Sequence, residues 1–125
     1  MKVISPRLHG YLDFLTVFIF LIAPTLLGLS QLPAILAYTL AVVHLIVTLG
    51  SDFPFGMVKI IPFVIHGWIE RIVGPLLIAI PFMLNFSNEE PAKSFYILMG
   101  IIVIIVGVLT NYQAETSDRK AIKNS

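Results

Sequence analysis

Four stretches of this chain are apolar for long enough to cross a lipid bilayer, and that constrains its fold more than any other feature. A spanning helix needs about 20 mainly apolar residues. Residues 8–29, 33–49, 62–86 and 94–110 each meet or approach that length. Between them lie SQLP, GSDFPFGMVKI and SNEEPAK, whose Gly, Pro, Ser and Asn break helices. The chain is 58% hydrophobic and 12% charged, where a soluble domain carries about 25% charge. The expected fold is therefore all-α: a polytopic membrane protein with four transmembrane helices in a single domain over 1–114. A polar tail, 115–125, follows it. The bilayer is the expected partner and a homo-oligomer is compatible with it. No basic patch interleaved with aromatics points to nucleic acid.

The first span follows Lys2 and Arg7, as a signal sequence would, but no small-residue cleavage site follows its apolar run. It is read as a retained span. Lys2, Arg7, Lys59, Arg71, Arg119, Lys120 and Lys123 fall at the ends facing one side, and Lys93 alone on the other. That asymmetry places both termini in the cytoplasm, hence the protein in an inner membrane. With no cysteine, the chain forms no disulfide, thiolate metal site or cysteine nucleophile.

The chain also repeats itself. At an offset of 57, His9-Gly10 falls on His66-Gly67, Tyr11 on Trp68, Asp13 on Glu70 and Pro24 on Pro81. At 58, Pro33-Ala34 falls on Pro91-Ala92 and Tyr38 on Tyr96. One step further, GSDF (50–53) resembles LTNY (109–112). The units, about 4–53 and 61–112, hold two helices each and so enter the membrane in the same direction. A pseudo-twofold axis along the membrane normal is the expected relation between them.

Each unit pairs two helices and carries a proline near the far end of the first, in LIAPTLLGLS (21–30) and IAIPFMLNFS (78–87). In this the chain resembles the SPW-repeat family of small bacterial membrane proteins. Only the proline of the Ser-Pro-Trp triplet is kept, in Ala23-Pro24-Thr25 and Ile80-Pro81-Phe82. The resemblance implies a membrane location and a duplicated topology, and brings no reaction with it.

His9 and Asp13, like His66 and Glu70, stand four residues apart and so share a helix face. His44 returns to a similar depth on the second span, and Arg71 follows Glu70. One membrane layer thus gathers His9, Asp13, His44, His66, Glu70 and Arg71, with Trp68 placed to wall it. Ionisable groups are costly in a bilayer and belong in its protein interior. The first reading is a structural polar network in which Arg71 neutralises Asp13 or Glu70. The second is a site in which His9, Asp13, His44, His66 and Glu70 hold a divalent transition metal or relay protons or ions. Haem between two histidines is a third. No signature of a named enzyme class is present.

Packing features complete the reading. Pro24, Pro75 and Pro81 are expected to kink their helices. Ala37, Ala41, Gly100 and Gly107 are expected to let helices approach closely.

Overall fold

The computed structural model describes residues 2–113 and 122–124; most of the tail expected at 115–125 lies outside them. Four α-helices dominate: α1 (Pro6–Leu26), α2 (Gln31–Leu49), α3 (Phe63–Met83) and α4 (Ala92–Leu109). All four are long and apolar enough to cross a membrane.

Local chemistry sets the ends. Helix α1 starts two residues before the apolar run because Ser5 caps it, accepting from the Leu8 amide at 3.2 Å, with Pro6 in the first turn. Beyond its far end, Gly28 takes a left-handed conformation (φ 61°), as Asn85 does after α3. Both helices therefore stop short of residues 29 and 86. Helix α1 continues through Pro24, and α3 through Pro75 and Pro81.

The helices pack in sequential pairs, α1 on α2 and α3 on α4. Small residues bring each pair together. Ala37 and Ala41 are fully buried. In the other pair Gly74 and Gly100 meet: a Cβ on Gly100 would stand 2.6 Å from the Gly74 carbonyl oxygen. Gly107, expected to do the same, has nothing within 3.9 Å of where its Cβ would be. The Tyr96 hydroxyl donates to the Pro33 carbonyl at 2.6 Å and ties α4 to the start of α2. Glu89 accepts from Ser30 at 2.6 Å, joining the two loops at that end.

At the opposite end the chain forms short pairings absent from the sequence-based expectation. Strand β1 (Ser51–Asp52) lies parallel to β2 (Ile61–Pro62), with Ser51 opposite Ile61. Ile4 forms a parallel bridge with Thr110. The exit of α2 is thus stitched to the entry of α3, and the exit of α4 to the entry of α1. These stitches lie directly over the polar layer and carry several of the groups that hold it.

Candidate metal centre

His9 and Asp13 lie about one and two turns inside α1, and His66 and Glu70 occupy the matching turns of α3. Every one of the four is buried: His9 and His66 at 0% exposure, Asp13 at 2% and Glu70 at 5%. They meet at one point. His9 Nε2 stands 3.4 Å from His66 Nε2, 3.1 Å from Asp13 Oδ1 and 3.3 Å from Glu70 Oε2. His66 Nε2 stands 3.3 Å from Asp13 Oδ2 and 3.4 Å from Glu70 Oε1. Each carboxylate therefore turns one oxygen to each imidazole.

The remaining nitrogens are held from behind. His9 Nδ1 lies 2.8 Å from the Thr110 hydroxyl, and His66 Nδ1 lies 2.7 Å from that of Ser51. Each hydroxyl already donates its one hydrogen to a carbonyl, Thr110 to Val106 and Ser51 to Val47, both at 2.6 Å. The hydroxyl oxygens can then only accept, so both imidazoles carry their proton on Nδ1. Both Nε2 atoms face the shared centre, each against both carboxylates. The carboxylates are anchored too. Thr48 donates to Asp13 Oδ2 at 3.2 Å, and the Tyr112 hydroxyl donates to Glu70 Oε2 at 2.6 Å. Burial, then the adjacent Glu70 carboxylate, raises the Tyr112 hydroxyl above its ordinary pKa and keeps it a donor.

Aromatic rings close the centre on the side of the stitches. Phe53 stacks on Phe63 at 4.9 Å, and Tyr112 packs on Phe63 at 4.8 Å and on His9 at 5.4 Å. The two glycines after the histidines make this lid possible. A Cβ on Gly10 would run into the Phe55 ring, and one on Gly67 would stand 2.8 Å from the Tyr112 ring. His-Gly is thus a donor followed by a seat for an aromatic ring.

His44 reaches the edge of the group, its Nε2 3.4 Å from Asp13 Oδ1. That is an ion-pair contact when His44 is charged, and this buried nitrogen has no hydrogen-bond partner among the described residues. Arg71 departs from the expectation of a cation inside the layer. Its guanidinium lies outside, 5.0 Å from the Trp68 ring centre and 5.6 Å from that of Tyr112, and pairs with no carboxylate among the described residues. Successive helix residues point about 100° apart, so Arg71 cannot share the inward face of Glu70. Trp68 itself is 55% exposed and does not wall the centre.

Two carboxylates are therefore buried with no Lys or Arg beside them among the described residues. One donor atom from each of His9, Asp13, His66 and Glu70 can be chosen so that all lie within 4.8 Å of one another. A tetrahedral ion with nitrogen and oxygen ligands has ligand–ligand edges of ~3.3–3.6 Å. The two imidazole nitrogens stand at that spacing from one another, 3.4 Å, and each has an oxygen of both carboxylates at 3.1–3.4 Å. Haem suits the site poorly, because the two imidazoles meet edge to face with centroids 5.3 Å apart.

Ser51, Thr110, Thr48 and Tyr112 were not among the residues expected to form the site. The resemblance of GSDF to LTNY was the signal for three of them, since it aligns Ser51 with Thr110 and Phe53 with Tyr112; Thr48 lies outside both segments.

Fold and centre together define a small multi-pass membrane protein with a buried His/Asp/Glu cluster. Its family is also shown: the model of the SPW repeat domain matches residues 7–110, and the chain belongs to that family. No curated protein and no solved structure matches it.

Proposed function

We propose that the protein binds a divalent transition metal between His9, Asp13, His66 and Glu70. The observation that carries this reading is the convergence of two Nε2 atoms, 3.4 Å apart, with two buried carboxylates, while both Nδ1 atoms are held by Thr110 and Ser51. Protonating both Nε2 atoms instead would also neutralise the carboxylates. It would set two cations 3.4 Å apart, but each would also face both carboxylates at 3.1–3.4 Å, so a proton-neutralised network is the competing reading that the metal analysis must exclude. A divalent ion meets the same two negative charges with neutral imidazoles and satisfies all four donors. A hydrogen-bond acceptor behind each metal-binding histidine is the usual means of fixing the ring and its tautomer, and here hydroxyl oxygens take that place. Imidazole and carboxylate without thiolate fit zinc, iron or manganese.

In the same reading the protein sits in the inner membrane with its termini, and so the metal-bearing layer, toward the cytoplasm. The excess of Lys and Arg at that end supports this orientation. The halves are related by a twofold axis along the membrane normal. Support comes from the exchanged contacts: His9 leans on Thr110 of the second unit and His66 on Ser51 of the first.

Metal analysis of the purified protein, before and after incubation with Zn(II), Mn(II) or Fe(II), tests the centre. About one ion per chain is expected in the parent, lost in the double variant Asp13→Asn with Glu70→Gln. A parent that stays metal-free, with a thermal midpoint in detergent indifferent to added metal, would overturn the reading in favour of a proton-neutralised polar network.

A further inference from the structure

The duplicated set accounts for four donors and leaves over one part-buried imidazole, that of His44. The offset of 58 that aligns the second helix of each unit sets His44 against Ile102, so the second half has no equivalent group. His44 Nε2 lies within 3.4 Å of Asp13 Oδ1, is buried, and has no hydrogen-bond partner among the described residues. Buried polar atoms in that condition are uncommon and call for an explanation.

A cleft supplies one. It runs between α2 and α3 and ends on His44, His66 and Glu70, where it meets the centre. Its remaining walls are almost wholly apolar, among them Leu40, Val43 and Val73. The hydroxyl of Thr16, which also lines it, is already committed to the Leu12 carbonyl at 2.8 Å. Val43 at the rim is half exposed on a helix long and apolar enough to span the bilayer, so the mouth opens toward acyl chains. About 60 Å³ of free space admits a molecule of a few heavy atoms.

Four protein donors alone make a closed tetrahedral site, but an ion can expand to five-coordinate where a cleft lets a further ligand reach it. Resting on the metal reading above, we propose that this centre is of the open kind. Its free position faces the α2–α3 cleft and takes a small uncharged donor molecule dissolved in the bilayer, and His44 is the hydrogen-bond partner of that molecule. Apolar walls without a cation select against charged ligands, because an ion gains nothing there for its lost hydration. The polar groups stand only at the inner end, where a bound donor atom would lie.

Co(II) loaded into the purified protein in detergent reports the coordination number through its visible spectrum. Imidazole at pH 8, mostly uncharged, is the probe and azide its charged counterpart. Imidazole should shift the spectrum at a concentration at least tenfold lower than azide does. His44→Leu should leave the ligand-free Co(II) spectrum in place and weaken imidazole about tenfold. His44→Gln, which keeps a hydrogen-bonding group of similar reach, should bind it within about threefold of the parent, and serves where the leucine variant fails to fold. A Co(II) spectrum indifferent to imidazole, equal response to azide, or equal imidazole affinity in the parent and His44→Leu would each overturn the open position. Failure of Co(II) to load at all would remove the metal reading and this one with it.

Discussion

A histidine that is to hold an ion must present one nitrogen and keep the other occupied. Here Thr110 and Ser51 do the second task, and each can do it only because its own hydrogen is spent on a carbonyl one turn earlier. Removing either hydroxyl while keeping the volume should therefore act on affinity more than on folding. Thr110→Val and Ser51→Ala are each expected to weaken metal binding about 10- to 100-fold, read by competition with a chelator of known affinity. A fall in thermal stability of the metal-free protein with unchanged affinity would reverse that assignment. A second consequence follows from ligand chemistry. Neutral imidazoles and ionised carboxylates bind metal while protons compete for them, so affinity should fall as the pH is lowered. Retention on acidification from pH 8 to 5, followed by metal analysis, checks the sign. The four donors were legible because His-Gly with an acid four residues later is spelled twice in a chain otherwise poor in charge. Arg71 misled because adjacency in sequence is not adjacency on a helix. Its stack with Trp68 and Tyr112 depends on a partner from beyond α4, which no local pattern announces.

Between elements, the decisive contacts are close approaches of backbone. Helices in a membrane gain little from burying apolar side chains, since lipid is equally apolar, and associate by tight packing instead. Gly74 and Gly100 mark that approach in the α3–α4 pair. A methyl on Gly100 would meet both the Gly74 carbonyl oxygen and Ile78 Cγ1 at 2.6 Å. Gly100→Ala should accordingly cost about 1–3 kcal/mol, the usual penalty of an overpacked site. Gly107→Ala meets nothing closer than 3.9 Å and should be neutral or stabilising by up to about 1 kcal/mol, through helix propensity. Thermal unfolding of both variants in one detergent decides between them. Equal effects would mean that the contact at Gly100 does not set the helix spacing. From sequence the two glycines looked alike, both being small residues on an apolar helix. Which one meets a partner is fixed by the rotation of α4 against α3, and helices apolar all round carry no stripe that reveals it. The spans themselves were plain from length and composition; Ser5, Gly28 and Asn85 explain the shifted ends of α1 and the far end of α3, while α2 and α4 each start two residues earlier than expected without a side-chain cap.

For the molecule as a whole, the His/Asp/Glu layer and the stitches over it lie at one end and the Ser30–Glu89 link at the other. Ile4 pairs with Thr110 and Ser51 with Ile61, so the starts of α1 and α3 and the ends of α2 and α4 share the first end. That end also carries Lys2, Arg7, Lys59 and Arg71, whereas the link end carries Lys93 beside Glu89 and Glu90. Lys93 is partly neutralised there by Glu90 at 3.7 Å, an exposed pair of little energetic weight that still lowers the net positive charge of its loop. Positive charge in short loops is retained on the cytoplasmic side during insertion. Both halves are subject to the same bias, because each enters and returns through the same face. A reporter fused after Ser30 or after Asn88 should therefore be active only outside the cytoplasm, and one fused after Asp52 only inside it. Opposite signals from the two outer loops would break the parallel relation of the halves. They would also separate His9 from His66 across the membrane, which a shared centre does not permit. Concordant but inverted signals would keep the centre intact and move it to the outer leaflet, where any metal would arrive from outside the cell.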